Sequence, residues 1–219
     1  NLNNLIIKYY VKMNILILGA GSTAISVAEI ILSIRSFKIK GFVGVETENI
    51  KFENKPVYRD LPYLGDKSFL QSIPKSQIPG FVSAIGNRYY RELSYYNGLK
   101  SKFIPINVIS INSTIEYSVE INDGVIIFPN TYISFNVSIG ENSLIESGVV
   151  LESNTVIGNN CNIEAGSIIS GNSIIKKNVI IGKNSVIAPN IIIGKNQMID
   201  PNTYIKKSLP DIERKEIIE

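Results

Sequence analysis

A repeat of six residues constrains what the second half of this chain can fold into. From Ile109 to Ile205 every sixth residue is isoleucine, except for Leu151, which gives seventeen aliphatic residues in register without an insertion. Four residues after each of them the side chain is mostly small or β-branched, as in Val137 and Ser143. One large and one small inward position per repeat predict a narrow prism whose walls are short parallel strands.

The third residue after each aliphatic position predicts the corners of this prism. Of the fifteen such positions from Ser118 to Asn202, eleven are Asn and three are Gly. These residue types adopt a left-handed backbone conformation at the lowest cost. Three repeats then form one triangular coil. Roughly five coils, stacked about 4.8 Å apart, give a parallel β-helix about 25 Å long with flat walls that favour side-by-side packing of subunits.

The residues before the repeat predict a different, Rossmann-like α/β domain. Residues 14–18 are typical of a buried strand, and a glycine turn and a helix over 23–36 follow. Further strands are predicted at 39–45 and 80–86, and a helix at 87–98. Alternating strands and helices indicate a small parallel sheet.

The chain therefore divides into four predicted segments. Residues 1–12 are interpreted as an N-terminal extension, 13–108 as the α/β domain and 109–208 as the β-helix. The tail, 209–219, is charged and helix-prone, and we expect it to cover the last coil, which would otherwise expose a strand edge.

The glycine turn after the first strand is a candidate phosphate site. Gly19, Gly21, Ser22 and Thr23 fit a pattern in which backbone N–H groups and a helix N-terminus approach a phosphate. A dinucleotide site also needs an acidic residue at the end of the second strand, where this chain has Gly44. The diphosphate of a nucleotide-linked ligand is thus the favoured interpretation, and NAD and a turn that serves only packing are the alternatives.

Composition excludes several classes of function. The net charge is +3 and no basic tract is present, which argues against nucleic acid as a partner. The single cysteine, Cys161, lies at a small inward position and is expected to be a packing residue. No signal peptide or long apolar segment is evident, so we expect a cytoplasmic protein with no membrane insertion. Histidine is absent, which removes the most common general base and zinc ligand, so no metal is expected.

The repeat resembles the hexapeptide-repeat acyltransferases, as in "IGKNSV" at 181–186. Together with "ILILGAG" and "VSAIGNRYYRELSYYNGLKSKFIPIN", which leads straight into the repeat, it is similar to sugar acetyltransferases of the sialic-acid O-acetyltransferase and bacillosamine N-acetyltransferase type. The resemblance implies a left-handed β-helix, a homotrimer, acetyl-CoA as co-substrate, and a nucleotide-linked amino sugar or sialic-acid-type sugar as acceptor in surface glycan biosynthesis.

The resemblance also assigns binding residues. The glycine turn, with Gly19 and Gly21, corresponds to the nucleotide-sugar site. Acetyl-CoA is expected beside the later coils, along the groove between neighbouring prisms. The residues assigned to it are Asn162, Ser170, Gly171, Gly182 and Lys183. Three further lysines in the same coils, Lys176, Lys177 and Lys195, are candidates for CoA phosphates, and a solvated basic edge is the alternative.

The catalytic histidine of the resembling enzymes aligns with Ser153, and their acidic partner with Asn154. Loss of a general base typically costs about 10² to 10⁴ in rate, so an enzyme without it can be slow rather than inactive. A partly neutral amine suffers less than a hydroxyl, which favours N-acylation. Glu152 is the first candidate for a substitute base, and Ser153 a candidate for orienting the substrate. Asp123, Glu146 and Glu164 are weaker candidates for the base.

Two hypotheses follow. The first is an acyl-CoA-dependent sugar acetyltransferase without a histidine base. The second is a catalytically degenerate relative that serves as a trimeric scaffold or binding partner in a glycan pathway. The β-helix carbonic anhydrases share the repeat, but their zinc needs three histidines, which excludes them.

Overall fold

The computed structural model describes residues 13–34, 37–44, 56–73 and 80–213. These residues form two compact units. One contains the chain through Gly86 together with Leu93–Ile106, and the other contains Asn87–Glu92 and the chain from Asn107 onward. The predicted boundary near 108 is therefore close to the observed one, but a short helical segment before it groups with the repeat. The predicted N-terminal extension lies outside the described residues.

The first unit contains a six-stranded sheet in the order β3-β4-β2-β1-β5-β6. All neighbours in this sheet are parallel except β3 and β4, which form an antiparallel pair. The strands are β1 (Met13–Leu18), β2 (Phe37–Val43), β3 (Pro56–Tyr58), β4 (Leu61–Gly65), β5 (Gly80–Ser83) and β6 (Ile104–Pro105). The helices are α1 (Ser22–Ile34), α2 (Phe69–Ser72) and α3 (Arg88–Lys100).

The Rossmann-like prediction is confirmed for the central strands and the long helices. The apolar run of β1 is buried between its parallel neighbours β2 and β5, as its four buried residues Ile15–Leu18 require. The ends differ from the prediction, since β5 stops at Ser83 and α3 continues to Lys100. The β3–β4 pair and α2 were not predicted, because these short elements carry little periodic signal.

The second unit is a left-handed parallel β-helix with three walls. The first wall holds β7 (Val108–Ile109), β10 (Ile126–Ile127), β13 (Leu144–Ile145), β16 (Asn162–Ile163), β19 (Ile180–Ile181) and β22 (Met198–Ile199). The second wall holds β8 (Thr114–Ile115), β11 (Tyr132–Ile133), β14 (Val150–Leu151), β17 (Ile168–Ile169), β20 (Val186–Ile187) and β23 (Tyr204–Ile205). The third wall holds β9 (Glu120–Ile121), β12 (Ser138–Ile139), β15 (Val156–Ile157), β18 (Ile174–Ile175) and β21 (Ile192–Ile193).

Every wall is stacked in a register of 18 residues, so that each residue pairs with its equivalent one coil later. Ile127, for example, pairs with Ile145, and Ile145 with Ile163. The aliphatic positions form one continuous buried core with the small positions between them. We call the corner between the first and second walls the first edge, that between the second and third the second edge, and that between the third and first the third edge.

The corner prediction is confirmed in full. All eleven asparagines and all three glycines at the third position after the aliphatic residue have positive φ, between 54° and 73°. Ser118 is not among the residues of positive φ. At the third edge the asparagines also bond to one another: Asn142 donates to Asn160 at 3.0 Å, Asn160 to Asn178 at 2.9 Å, and Asn178 to Asn196 at 3.2 Å. The ladder joins successive coils where the backbone turns.

Most polar residues at the small inward positions bond to the next coil, and Thr155, whose buried hydroxyl has no partner among the described residues, is an exception. The hydroxyls of Ser143, Ser167 and Ser173 each donate to a carbonyl fifteen residues later, at 2.9 Å. Such bonds remove the cost of burying a hydroxyl in an apolar prism. This explains why serine alternates with valine at these positions.

The tail covers the last coil, but the described part of it is not helical. Leu209 forms a parallel bridge with Ile193, and its N–H donates to the carbonyl of Ile192 at 2.9 Å. Residues 209–213 thus extend the third wall, which has one strand fewer than the others. The helix predicted for the tail is wrong for these residues, because an unpaired strand edge offers their backbone hydrogen-bond partners.

The asparagine bonds at the third edge predict which substitution of Asn160 costs more stability. Asn160→Gly keeps the left-handed corner and loses the side-chain bonds, which should cost about 2 kcal/mol of unfolding free energy. Asn160→Ala should cost about 1 to 2 kcal/mol more, since alanine disfavours this conformation. Denaturant unfolding at a fixed protein concentration measures both. Equal destabilisation by the two variants would show that the corner conformation contributes nothing.

Candidate functional site

The glycine turn lies at the carboxyl ends of the parallel strands in the first unit. Gly19 has φ of +118°, and its N–H donates to the carbonyl of Val43 at 2.7 Å. A Cβ built on Gly19 would lie 2.7 Å from the carbonyl oxygen of Ala84, so any other residue would collide with the loop after β5. The turn is fixed by its neighbours on both sides.

Helix α1 begins at Ser22, directly after this turn. Ser22 is exposed, and Gly21 and Thr23 are half-buried. The first N–H groups of a helix have no partner within it and attract anions. The structure therefore brings the four predicted residues Gly19, Gly21, Ser22 and Thr23 together at the edge of a parallel sheet where ligands of such folds bind.

Tyr63 on β4 occupies the space beside Gly44 at the end of β2. A Cβ on Gly44 would collide with the Tyr63 hydroxyl, and the N–H of Gly44 donates to the carbonyl of Gly65 at 2.9 Å. An acidic side chain at position 44 would therefore need Tyr63 to move. The sequence pattern did not show that Tyr63 lies beside this position.

Four predicted residues of the second unit meet at the second edge. Glu152 and Ser153 follow β14, and Ser170 and Gly171 follow β17 one coil later. A Cβ on Gly171 would lie 3.3 Å from the carbonyl oxygen of Ser153 and 3.8 Å from its Oγ. Ser153, Ser170 and Gly171 are half-buried and Glu152 is exposed, so the cluster faces outward from the prism.

The carboxylate of Glu152 binds the backbone of Gly171. Oε2 accepts the N–H of Gly171 at 2.9 Å. At the first edge, Glu146 accepts the N–H of Ala165 at 3.1 Å in the same way. Glu164 likewise accepts the N–H of Lys183 at 3.2 Å. Each of these glutamates directly follows an aliphatic position and caps the amide nineteen residues later, so the contact is a recurring element of the scaffold.

The weaker candidates for a general base lie elsewhere. Glu146 and Glu164 follow strands of the first wall and stand at the first edge, and Asp123 stands at the third edge. None of the three shares an edge with Ser153. Within this chain they do not adjoin the predicted catalytic position.

The remaining predicted acetyl-CoA residues are not part of the second-edge cluster. Gly182 and Lys183 follow β19 and lie at the first edge. Asn162 lies on the first wall and is 5% exposed, which leaves it little surface for a ligand. The structure thus separates the predicted set, because hexapeptides that follow each other in sequence lie on different walls.

The lysines expected to cluster are also divided between edges. Lys176, Lys177 and Lys195 are at the third edge, whereas Lys183 is at the first. Lys176 forms an ion pair with Asp211 at 3.0 Å, and Lys177 forms one with Glu92 at 3.2 Å. These contacts favour a structural role for the first two.

Arg91 makes a structural contact that the sequence did not suggest. It is fully buried within the second unit. Nε donates to the carbonyl of Asn142 at 3.1 Å, and NH2 donates to Asn160 Oδ1 at 3.4 Å and to the carbonyl of Cys161 at 3.3 Å. Burial lowers the pKa of Arg91 to about 9, so the guanidinium is still charged at neutral pH. It fastens the Asn87–Glu92 segment to the third edge.

Cys161 is a packing residue, as predicted. It is fully buried, its Sγ donates to the carbonyl of Lys176 at 3.1 Å, and it belongs to the prism core. Burial raises the pKa of its thiol to about 11. A thiol in this state is not a nucleophile near neutral pH.

Neither a metal site nor a membrane span is found in the described part of the chain. The His, Cys, Asp and Glu side chains of residues 13–34, 37–44, 56–73 and 80–213 form no group of three or more that could hold an ion. Among the same residues, no helix has the length and apolar character needed to cross a bilayer.

Two known domain families match the sequence. The PglD N-terminal domain matches residues 14–97. The bacterial transferase hexapeptide, a family of six repeats, matches residues 136–171 and 172–207. A search of curated proteins gave no match.

Solved structures share this fold over most of the chain. WeeI from Acinetobacter baumannii is 24% identical, with 91% of this chain and 94% of that one covered and a TM-score of 0.76. A histidine-to-asparagine mutant of perosamine N-acetyltransferase from Caulobacter crescentus, in complex with CoA and GDP-perosamine, is 20% identical, with 90% of both chains covered and a TM-score of 0.65. At these identities the similarity establishes the fold.

The contacts of Arg91 predict a large loss of stability when it is replaced. Arg91→Met removes three hydrogen bonds and leaves the buried carbonyl of Asn142 without this donor, so it should lower the unfolding free energy by about 3 kcal/mol, since a hydrogen bond contributes about 1 kcal/mol and an unsatisfied buried group costs about 1 to 3 kcal/mol. Denaturant unfolding measures the loss. The matched control is Arg59→Met, which breaks an exposed ion pair with Glu29 and should leave the midpoint unchanged. A similar midpoint for both variants would contradict the anchoring role.

Proposed function

We propose that this chain, which matches the PglD N-terminal domain and the bacterial transferase hexapeptide, transfers an acetyl group from acetyl-CoA to the amine of a nucleotide-linked amino sugar. The observation that carries the proposal is the second edge. There Ser153 adjoins an outward backbone N–H, that of Gly171, which already binds a carboxylate oxygen. A donor that holds one anionic oxygen suits the oxygen of a thioester as its carbonyl is attacked.

The reaction follows from what these groups supply. The neutral amine attacks the thioester carbon, an N–C bond forms, the C–S bond breaks, and CoA leaves as a thiol that takes up the proton of the amine. The N–H of Gly171 stabilises the oxygen, and Ser153 orients the amine. Holding two substrates in contact lowers the barrier without a base, so the reaction is slow rather than absent. The glycine turn and the start of α1 hold the diphosphate of the acceptor.

A homotrimer is part of this proposal. The outward residues of the last three strands of the third wall, Val156, Ile174 and Ile192, form an apolar column and are 37 to 40% exposed. A flat apolar wall of this kind favours contact with a second copy of the prism. Such packing would place an edge of one prism beside the next and form a groove for acetyl-CoA. Lys183, at another edge, would reach this groove only from a neighbouring subunit.

The absence of histidine supports a second candidate function. Without a base, and with Tyr63 beside Gly44, the chain is also consistent with a catalytically degenerate scaffold of a glycan pathway. The two candidates differ in whether acetyl-CoA is bound and used.

The apolar column predicts the oligomeric state. Ile174→Glu should convert a trimer into monomers, because three copies would bury three like charges in apolar contacts. Light scattering at a fixed concentration measures the mass. Lys38→Glu, an exposed change on β2, is the control and should leave the mass unchanged. A monomeric native protein would remove the shared groove from the proposal.

Activity is tested by CoA release from acetyl-CoA with a panel of nucleotide-linked amino sugars. The native protein should turn over slowly, and Ser153→His should raise the rate by about 10² to 10⁴, the usual value of a general base. Ser147→His, at the same repeat position on the first edge, should change nothing.

The outcomes separate the two candidate functions. If neither the native protein nor Ser153→His releases CoA, and calorimetry detects no acetyl-CoA binding, the enzyme proposal fails. If only Ser153→His is active, the native protein is the scaffold.

A further inference from the structure

The outward amides at the prism edges are a distinct class of backbone donor. Where the residue just before the corner asparagine or glycine is not proline, its N–H lies outside the ladder that joins the coils; Pro129, Pro189 and Pro201 have no N–H at this position. Around Gly171, for example, the N–H groups of Ser170 and Asn172 donate to Ile187 and Ser153, whereas that of Gly171 has a side-chain acceptor. These amides are open to any acceptor that approaches from outside.

Among the described residues of the prism, carboxylates accept hydrogen bonds from four of these amides. Three are capped by Glu146, Glu152 and Glu164, and the fourth, that of Lys195, is bound by Asp211 at 2.9 Å. Carboxylate oxygens are stronger acceptors than a neutral carbonyl, because the bond is assisted by charge. A neutral ligand oxygen must displace the carboxylate before it reaches such an amide.

Gly171 differs from the other three capped residues, which are Ala165, Lys183 and Lys195. It has no Cβ, and the space a Cβ would fill is bordered by the Ser153 carbonyl and Oγ and by Glu152 Oε2, at 3.3 to 3.8 Å. The backbone here is bare on the side that faces Ser153. Of the four capped amides, this is the one on a glycine, and the Ser153 hydroxyl lies beside it.

We propose that Glu152 is an internal competitor for the acyl donor: its carboxylate closes the Gly171 amide at rest, and the thioester oxygen of acetyl-CoA must displace it. This rests on the proposed function and refines it. The contact of Glu152 with Gly171 then inhibits acetyl-CoA binding, whereas the sequence suggested that Glu152 acts as a base. The competition is specific for ligands that carry the acyl carbonyl, since the thiol end of CoA has no carbonyl oxygen to place at this amide.

The proposal is tested by calorimetric titration of the full chain with acetyl-CoA and, separately, with CoA. Glu152→Ala should tighten acetyl-CoA binding by about tenfold, the factor worth one hydrogen bond, and leave CoA binding within about twofold. Glu152→Gln, which keeps the size but removes the charge, should give a smaller gain. The matched control is Glu146→Ala, which removes the same cap at the first edge and should alter neither affinity.

Each outcome decides the question. An unchanged ratio of acetyl-CoA to CoA affinity in Glu152→Ala and Glu152→Gln, with native circular dichroism, overturns the competition and leaves the proposed function standing. A lower rate of CoA release in Glu152→Ala with unchanged affinity would assign the carboxylate the base role and also overturns it. If acetyl-CoA binds none of the proteins, the proposed function and this inference fail together.

Discussion

The hydrogen-bond ladder between coils is the constraint on which the rest of the structure depends. It requires a register of 18 residues on every wall, and the register requires a left-handed corner after each short strand. The ladder uses most of the backbone donors and leaves out N–H groups next to the corners, such as that of Gly171. Chemistry at the surface of such a prism is therefore confined to its edges, where those amides and the side chains one coil apart meet.

The second edge shows how the ladder builds a site. Ser153 and Gly171 are 18 residues apart and become neighbours through the stacking of β14 on β17. Glu152, one position earlier, reaches forward to the same amide. In the proposed reaction the Gly171 amide holds the acyl oxygen, and the chain has no histidine to act as the base. The proposed reaction therefore depends on orienting the two substrates, without a general base.

The fold was predictable from sequence to the extent that its signals are local. The period of six predicted the walls, and the asparagines and glycines predicted the left-handed corners, because each depends on a residue and its immediate neighbours. The glutamate caps also have a sequence pattern, since each glutamate directly follows an aliphatic position. That each one binds the amide nineteen residues later is seen only when the coils are stacked.

Other features depend on contacts between distant segments. Arg91 lies on a helix whose pattern gives no reason to bury an arginine, and its acceptors are about 50 to 70 residues later in the chain. Tyr63 lies beside Gly44 because β4 pairs with β2, a pairing that the sequence did not predict. Asn162, which the resemblance assigned to acetyl-CoA, is buried on the first wall. Its position in the repeat does not say whether its wall is exposed.

In the proposed complex the Gly171 amide binds the acyl oxygen, and the Glu152 carboxylate competes with that oxygen for the amide. A crystal structure of the protein with bound acetyl-CoA tests this most directly. We expect the thioester oxygen to lie within about 3 Å of the Gly171 nitrogen and the Glu152 carboxylate to be turned away from it. A complex in which Glu152 still caps Gly171 while the thioester lies elsewhere would contradict it.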